Sequence, residues 1–206
     1  MKNIVIATIK EWNINNYFEL KKELENEYSL YLLTNKDELS FKNIEKINPK
    51  YIFFPHWSWI IPENIYKNYE CILFHMTDLP YGRGGSPLQN LIINKVYNTK
   101  ISALKVTKGL DEGDIYLKED FDISKGSANE IYINASKLIF KKLIPNILRQ
   151  NPTPVRQEGD VVNFKRRTPE QSNIKMLNDV SIANLYDFIR MLDAPSYPKA
   201  YLELDN

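Results

Sequence analysis

The chain is poor in the residues that staple or metallate a protein. It has one cysteine, Cys71, and two histidines, His56 and His75, in 206 residues. A single cysteine excludes an internal disulfide. Cys71 also lies in an apolar run, where it reads as a small buried hydrophobe. Neither histidine belongs to an H-x-H or H-E-x-x-H spacing and no C-x-x-C is present, so the sequence holds no metal-ligand pattern. Charge of one sign is equally scarce. Lys+Arg 27 against Asp+Glu 26 leaves a formal net charge of +1, which implies no bulk attraction to polyanions; the basic run Lys165-Arg166-Arg167 is short, and no nucleic-acid partner is expected. Long hydrophobic runs are absent too. No segment approaches the roughly 20 apolar residues of a membrane helix, and the apolar run after Met1 is too short for a signal peptide. The expectation is a cytoplasmic protein with no membrane partner.

What is present is alternation. Residues 4–8, 30–34, 51–54 and 71–74 form short, continuously apolar runs, as strands buried on both faces of a parallel sheet do. Between them, Tyr17, Leu20, Leu24 and Tyr28 predict a helix over 16–28, and Phe41, Ile44 and Ile47 a shorter one ending before Pro49. Two more strands are expected at 100–107 and 114–121. Ser127-x-x-Glu130 is a capping box that opens a helix to about Leu148. The pattern is that of an α/β domain with a doubly wound, mostly parallel sheet over 1–150. No G-x-G-x-x-G follows the first strand, so the dinucleotide fingerprint is missing. Residues 151–206 read as a linker and a short C-terminal extension. In it a helix is expected near 181–192, its apolar face made by Ile182, Leu185, Ile189 and Leu192 and able to pack on the domain or on a second copy in a homodimer. A last strand-like piece lies at 200–204.

Ligands of open α/β sheets bind beyond the carboxyl ends of the strands. The fourth apolar run is followed by His75-Met76-Thr77-Asp78-Leu79-Pro80-Tyr81-Gly82-Arg83-Gly84-Gly85, which carries three of the 7 glycines and leads to a helix start at Ser86-Pro87 whose N-terminus could meet an anion. A lone histidine is more often structural than functional, but this position favours a site. Asp111 stands in a tight turn, Gly109-Leu110-Asp111-Glu112-Gly113, where an aspartate is also ordinary turn chemistry. Arg83 can pair with a phosphate or be a solvated loop charge. Trp57 and Trp59 can stack on a flat ring or belong to the core. His56 can help hold a ligand phosphate or have no role. Trp12 and Asn13, after the first apolar run, stand at another carboxyl end and are candidate substrate contacts.

The stretch from Cys71 to Gly84 resembles the signature x-N-x-H-x-x-x-L-P-x-x-x-G of the formyltransferases, and Gly109 to Gly113 is similar to their G-x-D-x-G turn. Arg166-Arg167-Thr168-Pro169-Glu170 and Tyr197-Pro198-Lys199-Ala200 resemble elements beyond the catalytic domain of the tRNA and sugar enzymes of that family. The resemblance covers most of the chain. It implies the formyltransferase fold, 10-formyltetrahydrofolate as formyl donor, no metal, and His75 with Asp111 as the proton-handling pair. It implies donor contacts at Phe54, His56, Trp57, Leu79, Gly109 and Leu110, and acceptor contacts at Trp12, Asn13, Thr77, Tyr81, Arg83 and Gly84. With a short tail and no basic excess, the acceptor expected is a small molecule, the amine of a nucleotide-linked amino sugar, such as the UDP-linked 4-amino-4,6-dideoxy hexose of pseudaminic-acid-type pathways. One departure stands out: the family's asparagine, two residues before the histidine, is Leu73. Leucine offers no hydrogen bond to an oxyanion, so Gln89, Asn90, Thr77 or a backbone N–H must replace it, or the chain is an impaired binding module or a formyltetrahydrofolate hydrolase.

Overall fold

In the computed structural model, which describes residues 1–195 and 197–204, the first strand runs into the core. β1 (Lys2–Ala7) ends in Ile4, Val5, Ile6 and Ala7, all fully buried. Successive side chains point to opposite faces of a strand. Ile4 and Ile6 accordingly join one core with Phe53 and Ile72, and Val5 and Ala7 join another with Ile52, Phe54 and Cys71. A strand apolar on both faces needs cover on both. α1 (Glu11–Leu24) covers the first face through Tyr17, Leu20 and Leu24. After the edge strand β2 (Tyr28–Leu33), α2 (Phe41–Ile47) covers the second face through Ile44. Replacing a side chain as enclosed as Phe53 by alanine costs about 3–5 kcal/mol.

The chain continues through β3 (Tyr51–Phe54), α3 (Glu63–Tyr66) and β4 (Cys71–His75). β5 (Tyr81–Gly84) and α4 (Pro87–Ile93) follow. β6 (Asn98–Lys105) and β7 (Ile115–Asp122) complete a six-stranded sheet in the order β2-β1-β3-β4-β6-β7. The first four strands are parallel, and β6 and β7 are antiparallel to their neighbours. The mostly parallel α/β sheet expected from the apolar runs is the observed architecture.

α5 (Ala128–Leu138) starts at the Ser127–Glu130 capping box and runs through a wide turn at Ile139–Leu143 into α6 (Ile144–Gln150). Pro145 has no N–H to return to the preceding turn, a sufficient cause for the widened turn. β8 (Val162–Phe164) pairs in parallel with β5 as a separate two-stranded sheet. α7 (Ile182–Arg190) is capped by Ser181. No helix among the described residues is long and apolar enough to cross a membrane.

Three expectations need correction. The first helix begins at Glu11 rather than at 16 and ends at Leu24, because Tyr28 pairs with Lys2 at the start of β2. The outward face of α7, not its buried face, carries Ile182 and Ile189, which are 89% and 46% exposed. The helix is anchored instead by Phe188 and by a buried ion pair, Arg190 to Asp187 at 2.7 Å, with Arg190 also donating to the Ile123 and Gly126 carbonyls. The strand-like piece at 200–204 is a single bridge between Asn173 and Tyr201.

Candidate functional site

β4 is apolar up to its last residue, which places His75 at the carboxyl end of a buried strand with its side chain 9% exposed. Both ring nitrogens face acceptors. Nε2 lies 2.7 Å from the Gly82 carbonyl oxygen, a contact in which only the ring can donate. Nδ1 lies 3.6 Å from Asp111 Oδ2, too long for a good hydrogen bond but close for an ion pair. Asp111 itself sits in the left-handed region at φ 54, which aspartate tolerates better than most residues. Its Oδ2 also accepts from the Gly84 N–H at 2.9 Å. Gly84 has φ 104, and a Cβ there would fall 2.4 Å from the Phe164 carbonyl oxygen, so β8 can lie against β5 only if this residue is glycine. β5 thus contacts both members of the pair, the ring through Gly82 and the carboxylate through Gly84.

The sequence-expected residues divide into those that this structure uses as supports and those it leaves within reach of a ligand. Thr77 is fully buried, with its hydroxyl 3.4 Å from the Gly82 carbonyl and its own carbonyl accepting from Ser102. Leu79 is fully buried against Leu104 and Ile115. Phe54 is 1% exposed and packs edge-on to Trp57. Asn13, also 1% exposed, donates to Thr8 and to the Pro55 carbonyl, tying the ends of β1 and β3 together. In this structure the side chains of these four are engaged within the protein, as supports of the strand ends. At the helix start, Ser86 Oγ accepts from the Arg167 N–H.

Leu110 is 69% exposed beside Asp111, and Gly109 accepts from the Thr107 hydroxyl at 3.4 Å. Tyr81 is partly buried against Phe164. Arg83 donates from Nε and Nη2 to Gln157 Oε1 and lies 3.7 Å from Glu112, so its guanidinium is engaged within the protein rather than free for a phosphate. Trp57 and Trp59 meet at 4.8 Å and a steep angle. Trp57 lines a cleft of about 280 Å³ with Leu39, Ile60 and Pro62, and its indole Nε1 is buried with no partner among the described residues. That cleft lies between the stretch before α2, which adds Lys36, Asp37 and Ser40, and the segment after β3, and it does not include His75 or Asp111.

Trp12 and His56 come together elsewhere. Trp12 stacks on Tyr132 at an interplanar angle of 3°, and Tyr132 stacks on Tyr197. His56 lies edge-on to Trp12 and Tyr132, with the Tyr197 hydroxyl 3.3 Å from Nε2. The Lys10 ammonium stands over the Trp12 and Tyr197 rings. Burial, aided by the Lys10 charge, pushes the His56 imidazole down from 6.5 to about 4. It is therefore neutral near pH 7 and supplies no charge to a phosphate. Burial also pushes the Cys71 thiol up to about 12, which leaves it protonated and unreactive.

Leu73 packs against Leu79, Leu104 and Ile115, where the family's asparagine would stand. Two of the groups expected to replace that amide are occupied. Gln89 donates to the Tyr132 hydroxyl and the Met191 carbonyl, and Asn90 donates to the Gly85, Ser86 and Lys165 carbonyls. Gln157 is the residue that sequence reasoning missed. It lies in the stretch expected as a linker, and no motif or periodicity marks it.

Comparison with known proteins adds four findings. The family model described as methionyl-tRNA formyltransferase, C-terminal domain, matches residues 169–206. The methionyl-tRNA formyltransferase of Rickettsia massiliae (strain Mtu5) is 33% identical over 136 residues, 64% of this chain and 45% of that protein. The chain spans about half the length of the curated relatives it matches. The solved structure of a methionyl-tRNA formyltransferase from Clostridium thermocellum is 53% identical, covers 99% of this chain and 88% of its own, and superposes with a TM-score of 0.95. A sugar N-formyltransferase from Shewanella sp FDAARGOS_354 has a TM-score of 0.76 over 98% of this chain and 92% of its own, but at 16% identity that likeness is one of fold. These likenesses overturn the expectation of a nucleotide-linked amino sugar, its pseudaminic-acid setting and carbohydrate role, and the exclusion of nucleic acid. The sugar assignment leaned on the His75-Met76-Thr77-Asp78 loop, the tail length and the overall charge, and net charge does not describe the local surface. Lys165 and Arg166 are exposed, and Arg166 lies directly against Gly85 in the glycine loop.

Proposed function

The chain belongs to the methionyl-tRNA formyltransferase family, and from that premise we propose that it transfers a formyl group from 10-formyltetrahydrofolate to the amine of methionyl-tRNA, in the cytoplasm. The observation that carries the chemistry is the contact of His75 Nδ1 with Asp111 Oδ2, with β5 holding both groups. When the amine attacks the formyl carbon, a C–N bond forms and the nitrogen must lose a proton. Breaking the bond between the formyl carbon and folate N10 requires a proton on N10. His75 is suited to take the first proton and return it to the second, a role worth about 10²–10⁴-fold in rate. For that, the ring must exchange its Gly82 contact for substrate. Asp111 orients the ring and balances the charge of an imidazolium.

For the donor and the acceptor, the reading draws on three further features. Trp57 lines a cleft of mixed character, with Leu39, Ile60 and Pro62 beside Lys36, Asp37 and Ser40, a lining suited to a flat ring with polar edges. Leu110 offers an exposed apolar side chain next to Asp111. Lys165 and Arg166 offer positive charge beside the glycine loop for a phosphate backbone.

The test is formyl transfer from labelled 10-formyltetrahydrofolate to methionyl-tRNA, to uncharged tRNA and to no acceptor. Label on methionyl-tRNA alone supports the reading. Tetrahydrofolate release that ignores the acceptor, or no release at all, overturns it.

A further inference from the structure

We propose that Gln157 is a positioning residue for the His75–Asp111 pair, through which the segment after α6 sets the alignment of the two catalytic loops. The inference rests on the reading of that pair as the proton-handling groups. The Gln157 amide uses both ends. Its Nε2 donates to the Asp111 carbonyl and to the Gly113 carbonyl, each at 2.8 Å. Its Oε1 accepts from Arg83 Nε at 3.1 Å and Nη2 at 2.8 Å. A glutamine amide has two N–H donors and one carbonyl oxygen with two lone pairs, so its hydrogen-bonding capacity is filled.

The partners give this clasp its meaning. Asp111 and Gly113 belong to the β6–β7 turn, which carries the carboxylate. Arg83 belongs to β5, between Gly82, which accepts from the His75 ring, and Gly84, which donates to the Asp111 carboxylate. One side chain therefore bridges the two backbone segments whose separation fixes the ring, the carboxylate and the distance between them. Neighbouring residues hold Gln157 in place: Val155 exchanges two backbone hydrogen bonds with Ile115, and the Val162 N–H donates to the Pro80 carbonyl. A general acid–base pair works only within narrow limits of distance and angle, and a misplacement of about 1 Å can cost about 10²-fold in rate.

Two variants of the full chain test this. Gln157→Met keeps the length of the side chain and removes all four hydrogen bonds. Gln157→Glu keeps an acceptor for Arg83 but turns an oxygen toward two carbonyls. With Gln157→Met, kcat should fall about 10–100-fold while KM for donor and acceptor changes less than about three-fold. The Gly84 amide and the His75 ring resonances should move in ¹H–¹⁵N spectra. With Gln157→Glu, kcat should recover in part at lower pH, as the new carboxyl gains a proton and one donor returns. A lowered Tm with wild-type kcat per folded molecule, no pH-dependent recovery and unmoved Gly84 and His75 resonances would overturn the proposal. The resonances are read without substrate, so they decide the role of Gln157 even if the wild-type protein fails to formylate methionyl-tRNA.

Discussion

The two histidines stand at the carboxyl ends of neighbouring strands, and the structure treats them in opposite ways. His75, ending β4, faces a carboxylate and a carbonyl. His56, just past β3, faces three aromatic rings and a lysine. Burial and the Lys10 charge hold the His56 ring in its neutral form. Two strand ends thus differ in what faces the ring: a carboxylate 3.6 Å from Nδ1 at His75, and aromatic rings at His56. Neutral His56, at a left-handed φ of 58, lies edge-on against the Trp12–Tyr132 stack.

The sharpest way to break this comparison is the same substitution at both positions. His75→Asn should lower kcat for formyl transfer by about 10²–10⁴-fold with the fold retained, as judged by Tm. His56→Asn, which asparagine tolerates at positive φ, should lower kcat far less. Equal losses would show that the two rings act as one unit and that the contrast in their surroundings is irrelevant to turnover.

A smaller effect is expected at the carboxylate. Asp111→Asn preserves the turn, because asparagine also accepts left-handed backbone, and it preserves an oxygen for the Gly84 N–H. It removes only the charge facing Nδ1. The expected loss in kcat is about ten- to a hundred-fold, from a ring that is less well oriented and an imidazolium that is less well balanced. Wild-type kcat in Asp111→Asn would remove Asp111 from the mechanism and leave it as a turn residue.

The residues of this comparison were unevenly legible in the sequence. His75 and Asp111, which the structure brings to 3.6 Å of one another, stood out because each is local: one ends an apolar run, the other sits in a glycine-flanked turn. The parallel strands were legible for the same reason, since a strand buried on both faces is an unbroken apolar word. Gln157 was not, because its meaning depends on two turns brought to it from 46 and 74 positions away. Asn13 and Thr77 were visible as polar residues at strand ends, but a sequence does not reveal that neighbouring carbonyls and hydroxyls already occupy them. The acceptor was misread because net charge averages over the whole surface, whereas Lys165 and Arg166 stand beside the glycine loop.

The smallest effect sharpens the His56 half of the comparison. Its folded-state value is held down near 4 against an ordinary 6.5, so the unfolded chain takes up this proton first as pH falls. The stability that the neutral ring contributes is complete above about 6.5 and is lost as pH drops toward about 4. Other carboxylates also titrate there, so the informative quantity is the Tm difference between pH 7 and pH 4.5 in wild type minus that in His56→Asn. That difference should be positive. Burial is the main cause and Lys10 the lesser one, so Lys10→Met should reduce the acid loss without abolishing it. Removing the ammonium from above Trp12 and Tyr197 also costs about 0.5–1 kcal/mol of cation–π attraction, but that cost is nearly the same at both pH values and cancels in the difference. An acid loss in Lys10→Met equal to that of wild type would assign the whole effect to the aromatic enclosure, leaving the lysine free for an acceptor anion.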